Sequence, residues 1–197
     1  MVTMIPQTRP RVWNLPNQLT AGRFVLALIL FGLIAYESWL WCLIVFIVAA
    51  FTDWLDGYLA RRQNLTSTLG RILDPLVDKV LMCGLYICLL PFGVEGRWLW
   101  PWMVTVIVAR ELVITGLRSW MEAHGARFGA DWLGKFKMGL QCAAVIAVFV
   151  AFLVPDFIAP ASAFFEGVRD VLIWAMTMVT LLSGLQYIWK AATLLNA

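Results

Sequence analysis

Six stretches of about twenty mostly apolar residues succeed one another along this chain. They lie at approximately 19–37, 39–61, 72–93, 98–119, 136–154 and 168–190, and short polar or Gly/Pro-bearing connections separate them. A helix of that length matches the hydrocarbon thickness of a bilayer, and within lipid each segment must satisfy its own backbone polar groups. The expected fold is therefore all-α: an integral membrane protein with six transmembrane helices. Composition agrees, because 62% of the residues are hydrophobic types and only 14% are charged, against about 25% in a soluble domain. A length of 197 residues suits one membrane domain spanning the whole chain. Residues 1–18 form a juxtamembrane segment in which Ile5, Val12, Trp13 and Leu15 alternate with Arg9 and Arg11. That mixture suits the membrane interface, although Pro6, Pro10 and Pro16 limit any helix there.

Charge placement orients the spans. With six crossings, both termini share a side with the second-to-third and fourth-to-fifth connections. Thirteen of the 15 Lys and Arg residues fall on that side or at its helix ends, leaving only Arg97 and Arg169 opposite. Glu37, Glu95, Asp156, Glu166 and Asp170 lie on the far side. Basic residues accumulate on the cytoplasmic face, so both termini are expected there, as in a multi-pass protein of a cytoplasmic or inner membrane. The net charge of +3 is too small to imply a nucleic-acid partner. The single His124 argues against a histidine-built zinc site. Cys42, Cys83, Cys88 and Cys142 lie in apolar stretches without a CxxC pair and read as small buried hydrophobes. No cleavable signal peptide is evident, since the first 23 residues hold three arginines and three prolines and no apolar core. Trp39, Trp41, Trp98, Trp100, Trp102 and Trp189 sit near span ends, where aromatic belts form.

The stretch that carries chemistry runs from Asp53 through Asp56, Gly57, Ala60 and Arg61, then over eight residues to Gly70, Asp74 and Asp78. Asp53, Asp56, Gly57 and Ala60 are three or four positions apart and share a helical face, as do Asp74 and Asp78 on the next helix. The connection 62–71 should bring the two helix ends together and gather four acids at the cytoplasmic side. Carboxylates inside a membrane are costly and usually functional, and four of them repel one another unless countercharge is present. Arg61, Arg62, Arg71 and Lys79 supply some. A pair of divalent cations would supply it better, and an all-oxygen ligand set suits Mg²⁺, Mn²⁺ or Ca²⁺. Two-metal sites recur where phosphoryl oxygens must be held during displacement. Gly57, Ala60 and Gly70 would let a bulky ligand approach the backbone, although small residues also serve helix packing in membranes. A solvated helix end is the plain alternative for the acids.

The pattern DxxDGxxAR(x8)GxxxDxxxD is present with none of its eight specified positions altered. It resembles the CDP-alcohol phosphatidyltransferase family, and the six-span layout extends that resemblance over most of the chain. The resemblance implies that Asp53, Asp56, Asp74 and Asp78 bind two metal ions, Mg²⁺ or Mn²⁺, and that Asp78 is also the general base. It implies a CDP site lined by Asp53, Gly57, Ala60, Arg61 and Gly70, with Asn17 and Thr20 near the nucleotide. It further implies CDP-diacylglycerol as donor, a polar cavity open to the cytoplasm, and a homodimer.

Two further stretches bear on the acceptor. Residues 110–118, Arg-Glu-Leu-Val-Ile-Thr-Gly-Leu-Arg, are similar to the corresponding region of phosphatidylglycerophosphate synthases, and residues 14–23 are similar more loosely. Arg110 and Arg118 lie near one helical face about two turns apart, and Lys135 and Lys137 open the next span on the same side. A phosphorylated acceptor such as glycerol 3-phosphate needs cationic donors in a wet pocket. These four residues are the candidates, with topology alone as the plain alternative and a pairing of Arg110 with Glu111 as another. The expected reaction is phosphatidyl transfer from CDP-diacylglycerol to glycerol 3-phosphate. The same reaction with inositol phosphate, serine or a phospholipid is one alternative. A divalent-cation transporter is a remote one, since transport needs midplane carboxylates and a path to both faces.

Overall fold

The computed structural model describes residues 15–63, 68–123, 132–154 and 159–195. Among these the backbone forms six helices: α1 (Leu15–Ala35), α2 (Trp39–Gln63), α3 (Thr68–Glu95), α4 (Pro101–Ala123), α5 (Trp132–Leu153) and α6 (Ala159–Leu195). Each expected span coincides with one helix. The helices overrun the apolar stretches because hydrogen bonding continues into polar residues once a helix has formed. The largest overrun is in α6, whose 37 residues reach about 55 Å at 1.5 Å per residue, well beyond the apolar thickness.

Four helices carry segments long and apolar enough to cross a membrane: Gln18–Ala35, Pro75–Glu95, Gly134–Leu153 and Ala161–Thr193. In α2 the apolar run is shorter, Trp39–Asp53, and α4 is interrupted by Arg110, Glu111 and Arg118. Both helices are still long enough to cross, at 25 and 23 residues. Their charged halves carry site residues.

Local chemistry sets the turns. At the end of α1, Glu37 takes a left-handed conformation (φ 54°), and the Ser38 amide donates to the Leu33 carbonyl at 3.0 Å, closing the exposed helix end. The Ser38 carbonyl in turn accepts from the Cys42 amide at 3.0 Å, starting α2. Between α3 and α4, the Gly93 carbonyl accepts from Trp98 at 3.0 Å and Leu99 at 3.2 Å. A Cβ at position 93 would collide with Leu99 Cβ, so this turn requires glycine. Pro101 then begins α4, where its missing N–H costs nothing.

The helices close into a ring. Among the described residues the packed pairs are α1 with α2 and α3, α4 with α3 and α6, and α5 with α2 and α6. Leu30, Phe46, Leu85, Met103, Phe149 and Ile173, one from each helix, are buried in a single apolar cluster. At the end opposite the basic residues, Trp39 stacks on Phe152 (centroids 4.1 Å apart) and meets Phe92 edge-on at 5.0 Å. Arg169 lies over the Trp98 ring at 4.9 Å. Trp98 therefore belongs to the packed interior, being only 3% exposed, and is not an interface anchor. Trp41, Trp100, Trp102 and Trp189 are exposed, as anchors should be. With this end filled by rings, polar residues collect at the other.

Candidate active site

At the basic end, α1 presents Thr20 and Arg23 inward, three positions apart on one face and each 1% exposed. Arg23 Nη1 reaches Asp53 of α2 at 2.7 Å and Asp78 of α3 at 2.8 Å. Two acids from different helices thus converge on one buried guanidinium. Among the described residues α2 and α3 pack against α1 and not against each other, so Arg23 and its helix hold these two carboxylates close together. The countercharge expected from Lys79 is shared with another acid. Adjacent positions on a helix point in different directions, and Lys79 turns towards α4, where its Nζ lies 2.6 Å from Glu111.

Two oxygen-bearing acids already gathered around one cation fit a hard divalent metal. Among the described residues no third metal-ligating side chain joins them. Asp56 lies on α2 three residues after Asp53, and Asp74 lies on α3 four before Asp78. Their side chains are outside the described residues, as are those of Asn17, Gly57, Ala60, Arg61 and Gly70.

Beside Asp78 a cavity of about 480 Å³ opens between α3, α4, α5 and α6. Its lining includes Asp78, Lys79, Arg110, Glu111, Arg118, Lys135, Lys137, Gln141 and Tyr187. Five cationic side chains thus face two carboxylates. Glu111 is 2% exposed and organises three of the cations: Lys79, Lys137 and, at 3.3 Å, Arg110. A buried carboxylate is tolerated when such partners compensate it. Arg110 is held further by its Nη2 donating to Ser183 at 2.6 Å. It passes close to α6 because position 184 is glycine, where a Cβ would lie 3.2 Å from Arg110 Cγ.

Arg118 and Lys135 are different. Both are exposed, and among the described residues neither is ion-paired with a carboxylate. Arg118 donates from Nη2 to the Tyr187 hydroxyl at 3.2 Å, and Arg110 and Arg118 lie 5.7 and 5.9 Å from the Tyr187 ring centroid. The four basic residues singled out from the sequence, Arg110, Arg118, Lys135 and Lys137, do line one cavity. Within it Arg110 and Lys137 serve Glu111, whereas Arg118 and Lys135 do not.

Sequence reasoning missed the site roles of Arg23 and Tyr187, and of Glu111 beyond its pairing with Arg110. Arg23 counted only towards topology, yet an arginine one turn after Thr20 inside an apolar run needs a buried acid. Glu111 carried the same signal as the one acid within the fourth span. Tyr187 had none stronger than its nearness to the basic end of α6.

A model of the CDP-alcohol phosphatidyltransferase family matches residues 13–190. The chain belongs to that family. As a CDP-alcohol phosphatidyltransferase it has curated relatives, several of which match nearly end to end. A CDP-diacylglycerol--glycerol-3-phosphate 3-phosphatidyltransferase of Bacillus subtilis is 34% identical over 194 residues, covering 91% of this chain and 95% of the relative. The protein of the same name from Sodalis glossinidius is 33% identical over 184 residues, covering 90% and 94%. A chloroplastic/mitochondrial protein of Arabidopsis thaliana with that activity in its name is 34% identical over 149 residues, covering 68% of this CDP-alcohol phosphatidyltransferase and 50% of the relative.

Proposed function

We propose that this CDP-alcohol phosphatidyltransferase moves the phosphatidyl group of CDP-diacylglycerol onto glycerol 3-phosphate, giving phosphatidylglycerol phosphate and CMP. The observation that carries the choice of acceptor is the cavity beside Asp78, where Arg118 and Lys135 add positive charge that Glu111 does not neutralise. A phosphate needs such donors, and serine or free inositol would need fewer. The names of the curated relatives agree.

In this reading the acceptor's primary hydroxyl oxygen attacks the phosphorus that bears the diacylglycerol. The bond from that phosphorus to the bridging diphosphate oxygen breaks, and CMP leaves with the electron pair. Asp78 takes the hydroxyl proton as general base, at the cavity wall where the acceptor enters. Arg118 and Lys135 fix the acceptor phosphate, which aims the far hydroxyl at Asp78 and lowers the entropic cost of the encounter. Asn17, Thr20, Asp53, Gly57, Ala60, Arg61 and Gly70 line the CDP site. Asp53, Asp56, Asp74 and Asp78 would hold two divalent ions, Mg²⁺ or Mn²⁺, which would supply neutralisation of the diphosphate and of the departing CMP. The acyl chains stay in the bilayer. The excess of Lys and Arg at the site's end of the bundle favours a cytoplasmic active site and cytoplasmic termini. The family resemblance adds a homodimer.

The stacked rings of Trp39, Phe92 and Phe152 fill the opposite end, which favours chemistry at one face over ion passage. An acceptor panel tests the proposal: purified protein, CDP-diacylglycerol, Mg²⁺ and each alcohol in turn, with CMP release as readout. Turnover with glycerol 3-phosphate far above that with serine, inositol or inositol phosphate is expected. Preference for an unphosphorylated alcohol would overturn the acceptor assignment.

A further inference from the structure

Gln141 lies on α5 one turn after Lys137 and lines the cavity that also holds Asp78, Lys79 and Glu111. It is 2% exposed. Its backbone carbonyl accepts a hydrogen bond from the Tyr86 hydroxyl at 3.1 Å, which ties this turn of α5 to α3 across the ring. Its side-chain Nε2 is buried and, among the described residues, has no hydrogen-bond partner. Buried amide donors are paired in the great majority of cases, and one that is not calls for an explanation.

Glycerol 3-phosphate has three polar groups: a phosphate, the primary hydroxyl that reacts, and a secondary hydroxyl. The cavity wall offers a counterpart for each. Arg118 and Lys135 suit the phosphate, and Asp78 suits the reacting hydroxyl. The secondary hydroxyl is neutral and both donates and accepts, so its best match is a neutral group that does the same. A carboxamide is such a group. Glu111 is engaged by Lys79, Arg110 and Lys137, and the Tyr187 hydroxyl accepts from Arg118. Thr115 and Ser119 also line the cavity, but one is half-buried and the other exposed, so water can satisfy them. Gln141 alone among these neutral groups is buried with an unpaired donor.

We propose that Gln141 binds the secondary hydroxyl of glycerol 3-phosphate and so makes the enzyme prefer a polyol phosphate to a plain alkanol phosphate; this rests on the acceptor reading above. An acceptor lacking that hydroxyl leaves the amide buried and unpaired, and sites built around a substrate hydroxyl reject such analogues.

The test compares glycerol 3-phosphate with 3-hydroxypropyl phosphate, which keeps the phosphate and the primary hydroxyl and lacks only the secondary one. Wild-type protein should favour glycerol 3-phosphate in kcat/KM by about 5- to 150-fold, the range for leaving one buried donor unpaired. Gln141→Met keeps the side-chain length and removes the amide. Its preference should fall to within about 3-fold, mainly through loss of activity on glycerol 3-phosphate. Turnover of 3-hydroxypropyl phosphate should stay near the wild-type value, which a general packing defect would not allow. The wild-type preference persisting unchanged in Gln141→Met would overturn the role of Gln141 while leaving the acceptor assignment standing. Equal use of the two acceptors by wild type would overturn it without any variant. Failure of wild type to use either acceptor would overturn the acceptor assignment and this inference together.

Discussion

Arg23 of α1 donates from Nη1 to Asp78 of α3 at 2.8 Å, across 55 positions of sequence. The same nitrogen lies 2.7 Å from Asp53 of α2. Removing this buried cation leaves two facing, partly exposed carboxylates that repel one another. Arg23→Gln should therefore melt at a lower temperature in detergent. Divalent ions offset the same repulsion, so the deficit should be larger in chelator than in excess Mg²⁺. A deficit of equal size in both would separate Arg23 from the metal site.

Chelation should abolish CMP release from the wild-type protein, and Mg²⁺ or Mn²⁺ should restore it. Asp74→Asn should lose activity while its melting temperature in chelator stays near that of wild type. Full turnover in excess chelator would remove the metals from the mechanism.

Asp78 is assigned two tasks, and the variant Asp78→Asn separates them. Loss of a general base costs roughly 10²- to 10⁴-fold in turnover. CDP-lipid affinity, measured by CDP-diacylglycerol titration, should weaken far less. A defect confined to that affinity would leave Asp78 as a ligand only.

Arg118→Gln and Lys135→Gln should each raise the KM for glycerol 3-phosphate by about 10- to 150-fold, since a hydrogen bond to a charged group is worth about 1.5–3 kcal/mol. The KM for CDP-diacylglycerol should move much less. Initial rates over a two-substrate grid decide this, and equal losses for both substrates would assign these residues to folding or topology.

Glu111 compensates Lys137, and both are buried. Glu111→Gln should destabilise the protein by about 3–5 kcal/mol, because it leaves cations without their acid. Pairing it with Lys137→Met should recover much of that loss. Denaturant or thermal unfolding of the single and double variants measures the coupling.

The helices were legible because lipid imposes one rule on every span, and apolar length answers to it directly. Trp98 was misread because nearness to a span end does not say whether a ring faces lipid or its neighbours. The convergence of Asp53 and Asp78 was legible from the motif, whose spacing sets both acids at the facing ends of two consecutive helices. Their countercharge was not: Arg23 and Lys79 are each placed by a packing partner, α1 against α2 and α3 or α3 against α4. The basic residues of the cavity were visible as a group. The pairing of Arg110 with Glu111 was legible from their adjacency, whereas the engagement of Lys137 and Lys79 by Glu111 was hidden, because it depends on which helix stands opposite residue 111.

α1 stands between α2 and α3 and carries the cation that both acids touch. The approach of Asp53 to Asp78 is thus governed by one guanidinium on that helix. A bulky side chain at Ala27, fully buried one turn from Arg23, would wedge the two acids apart and strike the reaction from a position that touches no substrate.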